Sequence, residues 1–136
     1  MAFVVDASLA LTMLFGEEAT PATRATLRRL DSEAAIVPGL CFIELANAIA
    51  IAERKGRIKP ADTEIFLARI AGLEIVVDER APGRAFTAVL PLCRTHKLTS
   101  YDAVYIELAL RRGLPLATLD TAMSGAAREL GLTLLV

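Results

Sequence analysis

The sequence predicts an α/β fold, a three-layer α/β/α sandwich in which helices cover both faces of a mainly parallel β-sheet. Hydrophobic residues make up 54% of the 136 residues, but aromatic residues only 5%, and tryptophan is absent. A core built from Ala, Leu, Val and Ile favours helices packed on a sheet. Short β-branched runs also alternate with helical segments, which is the order of parallel strands joined by helical crossovers. The length suits one domain, residues 1–136.

Each predicted strand is a short apolar run bounded by a polar residue or a turn. The first run ends at Asp6, the second is closed by Pro38 and Gly39, and the fourth ends at Asp120. Such runs are typical of strands that are buried on both faces of a parallel sheet. The predicted strands are Phe3–Val5, Ala35–Val37, Leu73–Val77, Leu116–Leu119 and Thr133–Val136.

The predicted helices lie between these strands and are delimited by proline and glycine. Pro21 and Pro60 suit the first turn of a helix, whereas Gly56 and Gly113 suit the position after the last one. Pro91 is expected to kink or break the helix that contains it. The predicted helices are Ala7–Phe15, Pro21–Leu30, Leu40–Lys55, Pro60–Ala71, Pro82–His96, Tyr101–Arg112 and Thr121–Leu130.

Composition restricts the classes of function. The net charge of -1 lacks the basic excess of many nucleic-acid-binding proteins, although a bound cation can supply the attraction for a polyanion. Two cysteines in unrelated segments and a single histidine disfavour a structural zinc site. The N-terminus lacks the basic region of a signal peptide, and no apolar segment is long enough to span a bilayer. We therefore expect a cytoplasmic protein without a membrane association.

Three aspartates are expected at the edges of secondary-structure elements. Asp6 and Asp120 each follow a predicted strand, and in an open parallel sheet ligands bind beyond the carboxyl ends of the strands. Asp102 follows Thr99 by three residues at the start of a helix, as in a capping box. Aspartate is also a favoured N-cap, so each of the three has a purely structural interpretation that is compatible with a functional one.

Glu44 carries the strongest functional indication. In the segment Leu40–Ala52 the only polar residues are Glu44 and Asn47, which are three apart and therefore share a helical face. A helix this apolar is expected to be buried nearly all round. An ionised carboxylate there would need a cation, a metal ion or an arginine, unless it lies at an exposed edge.

Together the four carboxylates predict a site for a hard divalent cation. Clustered acids repel one another unless a cation bridges them, and oxygen ligands without histidine or cysteine suit Mg²⁺, or Mn²⁺, better than Zn²⁺. The chemistry that follows is phosphoryl transfer or hydrolysis of a phosphodiester by metal-activated water. His96 is the only imidazole and stands beside cationic residues, so a Ser–His–Asp mechanism is not supported.

At this point the sequence resembles the PIN-domain ribonucleases, especially the VapC-type toxins of toxin–antitoxin pairs. The resemblance spans essentially the whole chain, and the order and spacing of its motifs carry it. The motifs are Val4–Ser8, Glu44 with Asn47, Leu98–Ala103 with Tyr105, and Leu116–Asp120.

The resemblance implies a Mg²⁺-dependent endoribonuclease that acts on RNA. It implies that Asp6, Glu44, Asp102 and Asp120 are the catalytic and metal-binding residues, and that Ser8, Asn47 and Thr118 are supporting polar residues. It also implies a homodimer and inhibition by a cognate antitoxin. Some members have a further acid shortly after the fourth, but residues 121–124 here are Thr, Ala, Met and Ser.

The residues alone leave three other classes of function open. A receiver-like phosphoacceptor domain has a similar size and an acidic Mg²⁺ site, and Asp78 after the third strand would be its phosphoacceptor. However, such domains carry paired acids after the first strand, where Asp6 stands alone. A phosphatase for small phosphoesters would lack a DxD pair. A catalytically silent binding protein would use the same acids only as helix caps.

Overall fold

The computed structural model describes all 136 residues. Four strands form one sheet in the order β3-β2-β1-β4, and all three neighbouring pairs are parallel. The strands are β1 (Ala2–Val5), β2 (Ala34–Pro38), β3 (Ile75–Asp78) and β4 (Leu116–Ala117). The predicted α/β fold is confirmed, and the carboxyl ends of all four strands face the same edge of the sheet.

Seven α-helices connect and flank the strands. They are α1 (Ala7–Leu11), α2 (Pro21–Arg28), α3 (Leu40–Arg54), α4 (Pro60–Ala71), α5 (Leu90–His96), α6 (Ser100–Arg112) and α7 (Thr121–Glu129). Short 3₁₀ turns occur at Gly16–Glu18, Arg29–Asp31 and Ala81–Arg84, and a π-helical turn covers Ala85–Val89. None of these helices has both the length and the apolar character that crossing a bilayer requires.

The core lies between the central strands and α6. Phe3 and Val4 of β1 are fully buried, as is Leu116 of β4. Ala103 and Ile106 of α6 are fully buried as well, and this helix packs against β1, β2 and β4. Central parallel strands covered on both faces account for the continuous apolar runs in the sequence. This packing places the first turn of α6 near the carboxyl ends of the central strands.

Two predicted helices differ from those in the structure. Helix α1 ends at Leu11 and not at Phe15, because the Thr12 hydroxyl donates to the Leu9 carbonyl at 2.7 Å and the chain continues in tighter turns. The predicted helix 82–96 is broken into a 3₁₀ turn, a π-helical turn and α5. The change from π-helical to α-helical geometry falls at Leu90, next to the break expected at Pro91, and this proline occupies the first turn of α5, where its missing N–H costs little.

The C-terminal strand is reduced to a single bridge. Leu134 pairs in parallel with Leu116 on the side of β4 that faces away from β1. The Leu116 amide donates to the Thr133 carbonyl at 2.9 Å, and the Leu135 amide donates to the Leu116 carbonyl at 3.0 Å. The tail therefore covers the outer edge of β4, which itself spans two residues and not the four predicted.

Helix α3 is not buried nearly all round, and that prediction is wrong. Phe42 and Ile51 are exposed, and Ile43 is 68% exposed, whereas Cys41 and Leu45 face the core. Hydrophobic character alone does not show which surface covers a helix, and another chain can cover it as well as the core. Large exposed apolar areas of this kind mark interaction surfaces.

Candidate active site

Asp6 and Asp120 lie at the carboxyl ends of the neighbouring strands β1 and β4. Asp6 is the N-cap of α1, where its Oδ1 accepts a hydrogen bond from the Leu9 amide at 3.1 Å. Asp120 is the N-cap of α7, where its Oδ1 accepts from the Met123 amide at 2.8 Å. Both aspartates are therefore helix caps, and capping itself places both carboxylates at one edge of the sheet.

Ser8 and Thr118 fix the Asp6 carboxylate, which is only 4% exposed. Ser8 Oγ donates to Asp6 Oδ1 at 2.7 Å, and Thr118 Oγ1 donates to Asp6 Oδ2 at 2.6 Å. The same two hydroxyls accept hydrogen bonds from the amides of Leu119, at 3.0 Å, and Asp120, at 3.0 Å. They thus tie the end of β1 to the chain that follows β4 and hold Asp6 in one orientation.

Glu44 reaches the same region from α3 and is held by a tyrosine. The hydroxyl of Tyr105 donates to Glu44 Oε1 at 2.6 Å, and Tyr105 is only 1% exposed. Tyr105 lies one helical turn after Asp102, so it joins the α3 and α6 parts of the site. In the sequence Tyr105 belongs to a motif of the resemblance, but its contact with Glu44 was not predicted.

Asp102 lies in the first turn of α6. Its backbone amide donates to Thr99 Oγ1 at 3.2 Å, and Thr99 is the N-cap, as its spacing from Asp102 suggests. The partial positive charge of a helix N-terminus favours a carboxylate at this position. Asp102 is half-buried, as are Glu44 and Asp120.

Burial and the charges of neighbouring acids raise the pKa values of Asp6, Glu44 and Asp102. Burial raises the pKa of Asp6, against its hydrogen bonds, and the charge of Asp120 raises it further. Burial also raises the pKa of Glu44, helped by the charges of Asp102 and Asp6. The pKa of Asp102 is raised by burial and then by the charges of Asp120 and Asp6. The structure thus brings all four predicted acids into one electrostatic cluster.

No cation of the protein balances this cluster. None of its four carboxylates forms an ion pair with an arginine, lysine or histidine. Buried acids elsewhere are paired, since Asp78 binds Arg111 and Arg112, and Glu107 binds Arg84 and Arg111. Clustered acids without a counter-charge are the chemistry expected of a site for an external cation.

Carboxylate oxygens without histidine or cysteine suit a hard divalent cation that keeps part of its hydration shell. No three histidine, cysteine, aspartate or glutamate side chains are arranged so that they could hold one metal ion between them. Mg²⁺ usually takes only one or two protein carboxylates directly and keeps several of its waters, which the remaining acids can bind. Asp6, Glu44, Asp102 and Asp120 are the residues that would hold it.

The sequence profile of the PIN domain matches residues 3–129, a span that contains all four acids. The chain belongs to the PIN-domain family. No curated protein sequence matches it closely enough to be counted as a relative.

This PIN domain is similar in structure to several solved proteins. PAE2754 from Pyrobaculum aerophilum is 22% identical, with a TM-score of 0.70 over 99% of this chain and 84% of that one. VapBC2 from Rickettsia felis, bound to a DNA fragment from their promoter, is 15% identical, with a TM-score of 0.67 over 98% and 97%. A toxin–antitoxin complex from Klebsiella pneumoniae is 13% identical, with a TM-score of 0.57 over 88% and 87%. At these identities the similarity concerns the fold.

Two residues that the sequence analysis singled out lie outside the hydrogen-bond network of the PIN-domain site. Asn47 is exposed and its side chain makes no hydrogen bond with Glu44. His96 Nδ1 lies 2.9 Å from Glu129 Oε2. Asp120 caps the start of α7 and Glu129 is its last residue, so the two are about nine residues, or roughly 13 Å, apart along the helix. His96 therefore contacts the end of α7 that lies away from the acids.

We expect Tyr105→Phe to weaken Mg²⁺ binding to this PIN domain by about 10-fold, the lower end of the effect of removing a group that orients a metal ligand. The change deletes the hydroxyl that holds Glu44 and keeps the buried ring. Isothermal titration with Mg²⁺ would measure it. Tyr101→Phe, the same change at an exposed tyrosine, is the matched control, and equal Mg²⁺ affinity in all three proteins would contradict the role of Tyr105.

Proposed function

We propose that this PIN domain is a metal-dependent endoribonuclease and the toxin of a toxin–antitoxin pair, with Mg²⁺ as its cofactor and Mn²⁺ as a substitute. The observation that carries the proposal is the group of four carboxylates without a protein counter-charge at the carboxyl ends of β1 and β4. Phosphate groups are substrates that a Mg²⁺ ion held by carboxylates commonly binds. The proposed substrate is RNA.

The protein's own residues hold and orient the site. Bound Mg²⁺ would supply an activated water and would neutralise charge on the phosphodiester. Ser8 and Thr118 keep both oxygens of Asp6 engaged and so restrict its carboxylate to one orientation. Tyr105 binds one oxygen of Glu44 and leaves the other for the cation or its waters. Preorganisation of this kind lowers the cost of placing charge at the moment of reaction.

The structure disfavours the receiver-like alternative. The Asp78 carboxylate accepts two hydrogen bonds from Arg111, at 2.9 Å each, and one from Arg112 at 3.0 Å. It is buried and its charge is balanced by two arginines, unlike the charges of the four acids, so it is an ion-pair partner and not a free phosphoacceptor. An assay of RNA cleavage distinguishes the nuclease from a catalytically silent binding protein.

The test is RNA cleavage by the purified chain, freed of any partner protein, in Mg²⁺, in Mn²⁺ and in EDTA. We expect cleavage with either metal and none in EDTA. Glu44→Gln and Asp102→Asn should each reduce the rate by at least about 100-fold, because each removes a charge that holds the cation. Glu129→Gln, an acid at the far end of α7, is the control. Cleavage that persists in EDTA or in both variants would contradict the proposal.

The proposed protein partner is a cognate antitoxin, and the exposed apolar side of α3 and α4 supports it. A cavity of about 440 Å³ lies between the two helices. Phe42, Ile49 and Leu67 are among the apolar side chains that line it, and Phe42 and Leu67 are exposed. An amphipathic segment of another chain can cover a groove of this character. We also propose a homodimer, which the family resemblance implies.

A further inference from the structure

We propose that a cavity at the edge of the sheet where the strands have their carboxyl ends binds one base of a single-stranded RNA substrate. Tyr101 is the surface on which this base stacks. This inference rests on the proposed ribonuclease function and names a part of its substrate site. The cavity has a volume of about 280 Å³. Pockets for small molecules begin near 300 Å³, so the space suits one base and not a helix or a folded partner.

The topology places this base cavity beside the acids. Asp6 and Asp120 follow β1 and β4, whereas Pro38 and Gly39 at β2, and Asp78 and Glu79 at the end of β3, line the base cavity. In the strand order β3-β2-β1-β4, the ends of β3 and β2 lie beside the ends of β1 and β4 at one edge of the sheet. Neighbouring strands lie about 4.8 Å apart, so the two places are roughly 10 Å apart. One RNA strand can reach both.

Tyr101 is the only aromatic residue that lines the base cavity, and it is 61% exposed. It directly precedes Asp102 in α6, so a base stacked on it would belong to a nucleotide near the phosphodiester held by the acids. Proteins that bind single-stranded nucleic acids stack successive bases on aromatic side chains, beside a groove that follows the backbone. Pro82 and Val104 supply apolar surface around the ring.

The charge of the base cavity favours a base over a phosphate. Glu79 lines it and makes no side-chain hydrogen bond or ion pair, whereas the neighbouring Asp78 is engaged by arginines. A Cβ at Gly39 would clash with Glu79 Oε1, so glycine is what permits this position of the carboxylate. A carboxylate repels phosphate but accepts hydrogen bonds from the amino group of a base such as cytosine. Bases with an exocyclic amino group are therefore preferred to uracil.

The tyrosine content of the chain allows a direct test. The protein has two tyrosines and no tryptophan. In Tyr105→Phe the only emitter is Tyr101, and in Tyr101→Phe the only emitter is the buried Tyr105. Both variants would be titrated in EDTA, where the proposed nuclease is inactive, with a short single-stranded RNA rich in cytosine. An oligonucleotide of the same length with abasic sugars is the control ligand.

We expect a saturable loss of tyrosine emission in Tyr105→Phe. In Tyr101→Phe we expect only the apparent loss caused by absorbance of the RNA, and this loss is subtracted. The abasic oligonucleotide should have no effect. Equal loss in both variants, or equal loss with the abasic oligonucleotide, would overturn the base cavity. This experiment measures RNA binding and not cleavage. Its outcome can therefore be told apart from the outcome of the ribonuclease test.

A second measurement uses binding affinity. Tyr101→Ala should weaken binding of the same RNA about 10-fold by fluorescence anisotropy, as expected for the loss of one base stack. Phe86→Ala is the matched control, because Phe86 is 85% exposed but does not line the base cavity. An unchanged affinity in Tyr101→Ala, or an equal loss in Phe86→Ala, would also overturn the proposal.

Discussion

Replacing Asp6 with asparagine is expected to reduce RNA cleavage by at least about 100-fold while leaving the fold intact. Asparagine is as good an N-cap as aspartate, so the hydrogen bond from the Leu9 amide can be kept. What is lost is the negative charge that Asp6 contributes to the cluster, together with the hydrogen bond that Thr118 Oγ1 donates to Asp6 Oδ2. Asp6→Asn should reduce the cleavage rate more than Tyr105→Phe does, because Tyr105 acts on the cation only through Glu44.

Thermal unfolding separates this loss of cation binding from a loss of structure. A ligand that binds only the folded state stabilises it, so Mg²⁺ should raise the Tm of the wild-type protein and EDTA should return it to the metal-free value. In Asp6→Asn the Mg²⁺-dependent rise should be largely absent. Asp62→Asn is the control, because Asp62 also accepts a backbone hydrogen bond at a helix start, from Lys59 at 2.9 Å, but in α4. A full Mg²⁺ response in Asp6→Asn would contradict its assignment as a metal-binding residue.

Replacing Arg111 with methionine is expected to lower the free energy of unfolding by about 3–5 kcal/mol at neutral pH. The Arg111 guanidinium donates to both oxygens of Asp78 and, through Nε, to Glu107 at 2.8 Å. The side chains of Asp78 and Glu107 are only 2% and 3% exposed. Methionine fills much of the volume, so the loss comes chiefly from two buried carboxylates deprived of a shared partner.

The effect should depend on pH with a definite sign. Hydrogen bonds from Arg111 hold the pKa of Asp78 well below its usual range, in spite of its burial. An acid with a lowered folded-state pKa contributes stability above its unfolded pKa of about 3.9, and this contribution is lost as the pH falls towards the folded-state pKa. The gap between wild type and Arg111→Met should therefore narrow below about pH 4.

Urea unfolding at pH 7 and at pH 3 would measure both effects. Arg29→Met is the control, because Arg29 pairs with Glu33 one turn away in a more exposed position, where such pairs contribute at most about 1 kcal/mol. A loss in Arg111→Met no larger than in Arg29→Met, or one that is the same at both pH values, would contradict the role given to Arg111.

Asp6, Asp102 and Asp120 could be singled out from the sequence because their positions follow from local rules, whereas Glu44 was singled out by its apolar surroundings on α3. Asp6 and Asp120 end apolar runs and precede helices, and Asp102 stands three residues after a capping threonine, so strand ends and caps place them. The partner of Glu44 could not be found in this way. Tyr105 is 61 residues further along the chain, and only the packing of α6 beside α3 brings its hydroxyl to the carboxylate.

The surroundings of α3 were mispredicted for a related reason. Hydrophobic periodicity reports how apolar a helix is, but it does not distinguish a face covered by the core from one that another chain could cover. Ile43 and Cys41 are both apolar, yet the first is exposed and the second is buried. Asn47 shares a face with Glu44 on a helical wheel, but the structure leaves it exposed.

The single bridge at the C-terminal tail covers part of a sheet edge that could otherwise pair with other molecules. Strand β4 would otherwise present unpaired N–H and C=O groups along its outer edge, and such edges act as templates for strands of other molecules. Leu134 and its neighbours occupy part of that edge with two backbone hydrogen bonds. The tail thus leaves less of this edge open to strands of other molecules, on the strand that leads directly to Thr118 and Asp120.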